Sequence, residues 1–96
     1  MAVKSGSIWA NAAVTTGGDV ITPSKGAFTA YFENTGDTED LLVNVLPVHD
    51  AGEFDTIGPG KSQEYSDDGG QIGVMTAKAA ANTTSYTGSI TRRKIA

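Results

Sequence analysis

The sequence predicts an all-β fold, a small antiparallel β-sandwich, and three observations predict it. Glycines and turn-forming polar residues punctuate the 96 residues at short intervals. The runs between them are short, rich in Val, Ile, Thr, Phe and Tyr, and in several places alternate apolar with polar. The one stretch of helix-forming composition, residues 77–82, is too short for a stable helix and lies between two strand-like runs.

The turn signals are Gly17-Gly18-Asp19, Asn34-Thr35-Gly36-Asp37, Asp50-Ala51-Gly52, Gly58-Pro59-Gly60 and Asp67-Asp68-Gly69-Gly70. They bound strands expected near 7–14, 19–22, 26–33, 40–48, 54–57, 61–66, 71–79 and 84–92. In the first, Ile8, Ala10, Ala12 and Val14 share one face and Trp9 takes the other, which puts Trp9 outside; a register shift would return it to the core. The third alternates most clearly, with Phe28, Ala30 and Phe32 inward and Thr29, Tyr31 and Glu33 outward. The last behaves likewise, with Tyr86, Gly88 and Ile90 inward.

Residues 41–48 differ. Leu41, Val43 and Val45 make one apolar face, and Leu42, Leu46 and Val48 nearly make a second, interrupted only by Asn44. A strand of a free antiparallel sandwich is polar on its outer side. The outer side here is therefore expected to be covered, by loops of the same chain or by another subunit. Pro47 cannot donate to a ladder, so this strand's end belongs at an edge or bulge. Phe54 is expected to plug an end of the sandwich, and residues 77–82 to run from strand into turn, with a single helical turn as the alternative.

One domain spanning 1–96 accommodates all of this, with a short N-terminal arm at about 1–6 and a basic C-terminal tail at about 92–96. A chain this short buries about 60–65% of its unfolded surface. Hydrophobic residues make up 39%, low for a self-sufficient core, and there are no cysteines to staple it. The N-terminus has no apolar signal segment and no run is long enough to span a membrane, so synthesis in a cytosol is expected. Residues 1–91 hold four lysines and all eleven acids, net −7, and Arg92-Arg93-Lys94 supply the rest of the positive charge. An acidic body argues against nucleic acid, whose phosphates need a basic face. The basic tail reads as a solvated terminus or as an electrostatic clamp onto an acidic neighbour.

Chemistry-bearing patterns are few. The single histidine, His49, opens a turn and is expected to bond local backbone; none of the seven serines sits in a nucleophile-elbow motif. Asp37, Glu39 and Asp40, and Asp67-Asp68, lack the spacing of a calcium loop and read as solvated turns, with a loop calcium site as the alternative left open. Gly58-Pro59-Gly60-Lys61-Ser62 lacks phosphate-loop spacing and reads as a hairpin or β-arch turn. No catalytic residue, metal ligand or cofactor is expected.

The order of Tyr31-Phe32-Glu33-Asn34-Thr35-Gly36, Leu42-Val43-Asn44-Val45, Phe54-Asp55-Thr56-Ile57-Gly58-Pro59-Gly60, Gln71-Ile72-Gly73-Val74 and Tyr86-Thr87-Gly88-Ser89-Ile90 resembles small β-sandwich virion proteins of tailed bacteriophages. The resemblance implies an immunoglobulin-like or jelly-roll-like sandwich of about seven or eight strands. It implies a capsid decoration (cement) role, or another head or tail accessory role, on the outer surface of a virion. Partners would be the major capsid protein or other virion subunits, in a homo-oligomer for which a trimer is expected, with no nucleic acid or membrane. The expected interface comprises Trp9, Tyr31, Leu42, Leu46 and Val48 as apolar contacts, with Arg92, Arg93 and Lys94 pairing with acids. Two other functions stay open. A carbohydrate-binding or adhesion module would need Trp9 and Tyr31 exposed together; a small enzyme would need His49 beside a nucleophile or two acids.

Overall fold

A computed structural model of the chain describes residues 2–3, 8–23, 26–67 and 69–91. Among them there is no helix, and the strands are β1 (Ala2–Val3), β2 (Ile8–Thr15), β3 (Asp19–Pro23), β4 (Thr29–Asn34), β5 (Leu41–Val45), β6 (Asp55–Ile57), β7 (Ser62–Ser66), β8 (Met75–Ala79) and β9 (Thr83–Thr91). They form a five-stranded sheet in the order β1-β3-β8-β5-β6 and a four-stranded sheet in the order β2-β9-β4-β7. All pairs are antiparallel except β1 with β3. The protein is an all-β sandwich, as the turn spacing predicts.

The sheets face each other through one core. Ala30, Phe32, Leu41, Val43, Val45, Met75, Ala77, Tyr86 and Ile90 are almost wholly buried at alternate strand positions. Three rings stack at its centre: Trp9 meets Phe32 edge-on at 5.7 Å between centroids, and Phe32 meets Tyr86 at 6.1 Å. Such pairs contribute about 0.5–1.5 kcal/mol each beyond the area they bury.

Trp9 departs from the outward placement expected of it. It is 7% exposed, while Ile8 beside it is 79% exposed. The cause is a β-bulge: the register of β2 on β9 shifts between Asn11 and Val14. Asn11 stabilises it locally by accepting the Ala13 N–H at its Oδ1 (2.9 Å). The inserted residue changes parity, so Trp9 before the bulge and Val14 after it both point inward. The Trp9 indole N–H donates to the Tyr86 hydroxyl (3.2 Å), which donates to Asp19 Oδ2 (2.8 Å). Asn11 Nδ2 donates to the same Asp19 oxygen (3.0 Å). This network ties β2 and β9 of one sheet to β3 of the other.

Three further expectations change in detail. The strand expected over 40–48 stops at Val45, and Pro47 lies beyond it in a turn with a cis Leu46–Pro47 bond. β5 itself is interior, between β8 and β6. The strand expected over 71–79 begins only at Met75, because residues 71–74 cross between the sheets; Ile72 N–H bonds Ala27 O (3.1 Å) and Gly73 N–H bonds Leu46 O (2.7 Å). Phe54 does not plug an end. It is half-buried beneath Lys78, whose Nζ stands 4.3 Å from its ring centroid. Lys78 is the cross-strand neighbour of Leu42, at an outward position of the five-stranded sheet.

The second face of β5 is covered at Asn44 by the chain's own loop. Asn44 points outward yet is 6% exposed, because its Nδ2 donates to Asp50 O (2.9 Å) and Glu53 O (2.6 Å). The lone polar residue of that face is the anchor of the loop that hides it. Leu42 remains half-buried.

Candidate functional site

The open side of the sandwich between edge strands β6 and β7 is closed by His49, Asp55 and Tyr65. His49 is 8% exposed. Its Nδ1 accepts the backbone N–H of Val45 (2.8 Å), so the ring carries its proton on Nε2 and donates it to Asp55 Oδ2 (3.0 Å). The Tyr65 ring packs against it at 4.9 Å. His49 thus bonds local backbone as expected. Among the described residues it has one carboxylate partner and no serine or threonine hydroxyl bonded to it. With a backbone N–H aimed at Nδ1, the ring is held as a strut and not offered as a base.

The electrostatics of this cluster and of Tyr86 set a pH dependence. The hydrogen bond from His49 lowers the Asp55 carboxyl below its usual 3.8, against a smaller opposing effect of burial. Burial raises Tyr65 and Tyr86 above the usual 10.0, helped by the carboxylates of Asp55 and Asp19 respectively. The Tyr65 hydroxyl is buried and makes no hydrogen bond of good geometry. A lowered carboxyl stabilises the fold above its unfolded pKa and loses that contribution as pH falls through the folded one. A raised phenol stabilises below its unfolded pKa and loses that contribution as pH rises towards the folded one. Urea midpoints are therefore expected to fall on the acid side and again above pH 10. Asp55→Asn should flatten the acid limb and Tyr86→Phe the alkaline one. An acid limb unchanged in Asp55→Asn would show that the His49 pair does not govern it.

A polar cleft of about 240 Å³ lies at one end, lined by Ala12, Asp37, Glu39 and the residues Thr83, Thr84 and Ser85. Glu39 and the neighbouring Asp40 backbone brace the turns around it. Glu39 Oε2 accepts from Asn82 (2.6 Å), and the carbonyl of Asp40 accepts the Ala80 N–H (3.0 Å). Asp67 does the same in its own turn, accepting the Gln71 N–H at Oδ2 (2.8 Å), while Asp68 lies outside the described residues. Among the described residues no group of His, Cys, Asp and Glu is placed to hold a metal ion. The Gly58-Pro59-Gly60 turn is a β-arch, carrying the chain from β6 in one sheet to β7 in the other.

Val20 of β3 is 55% exposed, and among the described residues two further apolar features stand on the surface. The first is a tip made by the turn after β5 and the residues leading into β8. Leu46 N–H donates to Val74 O (3.2 Å), and Gly73 N–H returns a bond to Leu46 O. Val48 is 40% and Val74 43% exposed there. The second is an open hollow of about 230 Å³ on the outer face of the four-stranded sheet, walled by Ile8 and Tyr31 and floored by Thr87, Gly88 and Ser89.

The residues expected at an interface thus separate. Leu46 and Val48 go to the tip, Tyr31 to the hollow, and Leu42 to the outer side of the five-stranded sheet. Trp9 goes to the core, which removes the paired exposed aromatics that a carbohydrate platform would need. Arg92, Arg93 and Lys94 lie outside the described residues. Sequence reasoning missed the exposure of Ile8, Val20 and Val74. The signal for Ile8 was Asn11 inside an otherwise apolar strand, a residue type that favours local side-chain-to-backbone bonding over the ladder. The chain matches no known family model, no curated protein and no solved structure.

Proposed function

We propose that this protein is a structural subunit that docks on the protein shell of a tailed bacteriophage and reinforces it, as a decoration or cement protein does. The observation that carries the reading is the apolar tip. The core is closed and the chain's own loop covers the second face of β5 at Asn44, yet Val48 and Val74 stay exposed on two segments bonded to each other. Apolar surface held on a braced turn suits a fixed contact with another protein. Its mechanism is added buried area spanning neighbouring shell subunits; an interface of about 1,600 Å² is the usual size for a stable contact. The acidic body supports a protein partner over a nucleic acid.

The test heats phage shells assembled without this chain, with and without the purified protein. The shell melting temperature is expected to rise with wild type and not with a Val48→Ser/Val74→Ser variant. Both positions are exposed, so that variant should keep its own unfolding midpoint within about 0.5 kcal/mol of wild type. Shell melting unmoved by the wild-type protein would sink the reading.

A further inference from the structure

The outer face of the four-stranded sheet is one-sided in charge. β2, β4, β7 and β9 contain no lysine or arginine. Two carboxylates flank Tyr31: Glu64 is its cross-strand partner, and Glu33 accepts a hydrogen bond from its hydroxyl (3.4 Å). That bond orients the ring as one wall of the hollow, and Ile8 stands opposite as the other. The face therefore offers an apolar socket with acids on one side of it.

We propose that this face receives a second copy of the chain, whose segment Arg92-Arg93-Lys94-Ile95 sets its cations beside Glu33 and Glu64 and its isoleucine in the hollow. Three arguments carry it. Charge is complementary: the cations of residues 92–94 meet a body that is net −7 over 1–91. Order is complementary: one branched apolar residue follows the three cations directly, and the socket adjoins the two acids. Direction selects another copy. β9 runs from Thr83 to Thr91, and the hollow lies beside Thr87–Ser89, behind the strand's exit. To reach its own hollow a segment past Thr91 would have to double back along β9, whereas one from a neighbouring copy need not. Each copy has one segment and one socket, so reciprocal exchange or a ring closes the assembly. The contact is independent of the apolar tip and stands whether or not the tip docks on a shell.

Sedimentation velocity on the full chain tests it. Wild type is expected to associate with rising concentration and to dissociate in high salt, because the contacts are between exposed charges. The triple variant Arg92→Gln/Arg93→Gln/Lys94→Gln and the socket variant Ile8→Lys should each be monomeric with an unchanged circular dichroism spectrum. Ile8 is exposed, so the lysine fills the hollow and repels the cations without touching the core. Mixing the two monomeric variants should restore a one-to-one complex, since one keeps the socket and the other the segment. A wild-type chain that stays monomeric up to millimolar concentration would overturn the proposal, as would association that survives in either variant. Tip variants that no longer stabilise shells leave these results unmoved, so the two readings fail separately.

Discussion

Asn34→Asp is expected to cost the fold about 4 kcal/mol. Asn34 ends β4 and is wholly buried. Its Nδ2 donates to Glu39 O and to Ile57 O, both at 2.9 Å. Its Oδ1 accepts from the Gly36 N–H (3.0 Å) and the Thr84 hydroxyl (2.8 Å). Its backbone is used as well, accepting the Gly60 N–H and donating to Lys61 O. One side chain thus joins the end of β4 to β6 across the sandwich and to β9 beside it. Aspartate keeps the shape but turns the two donors into an oxygen facing two carbonyls, at a side chain buried from bulk solvent. Urea unfolding at neutral pH measures the loss at constant slope. Thr84→Val removes a single bond of the set and should cost about 1 kcal/mol. Equal costs for the two variants would mean that Asn34 is not the hub its geometry describes.

Trp9→Ala should cost about 4 kcal/mol, the range of a large aromatic removed from a packed core. An outward, partner-binding tryptophan would cost within about 0.5 kcal/mol and show its loss only in binding. The indole lies against Gly88: a Cβ built there would stand 2.5 Å from the ring. Gly88→Ala is therefore expected to destabilise by about 1–3 kcal/mol through overpacking. Combined with Trp9→Ala, which empties the same space, its cost should shrink, and the double-mutant cycle should show coupling. As the only tryptophan, Trp9 reports its own burial: native emission should be blue-shifted and should move to the red on unfolding. Native emission already at the wavelength of the unfolded chain would place the ring in water and restore the outward register.

The strands were legible because their evidence is local. Each of the eight expected runs overlaps a strand, and the turns fall at the glycine and Asx signals. Thr29–Asn34 and Thr83–Thr91 carry an uninterrupted period of two, so their faces could be assigned by counting. Ile8–Thr15 could not. There the count fails at Asn11, because one inserted residue reverses the parity of everything before it relative to everything after. β1 escaped notice because two residues carry no period at all.

The candidate surfaces were legible only in part. Tyr31, Leu46 and Val48 stood out as apolar residues on the wrong side of a strand, and all three keep some exposure. Nothing local said that Ile8 would stand beside Tyr31. Their strands are separated by β9, and both pair with Ser89. Nor could the apolar second face of β5 say what covers it, since loop and subunit are equivalent in sequence. Asn44 decided between them by bonding the carbonyls of Asp50 and Glu53.

By itself, then, the sequence determined the class of fold, the strand positions, the acidic body and the absence of disulfides. These follow from composition and from periods that repeat within a few residues. Only the tertiary structure decided which strands are neighbours, where Trp9 points and which apolar residues stay outside. The physical reason is the crossing of the chain. Of the consecutive strands only β5 and β6 pair with each other, and every other connection passes from one sheet to the other. Ladder partners thus lie far apart along the chain, and their pairing is set by how two whole faces pack.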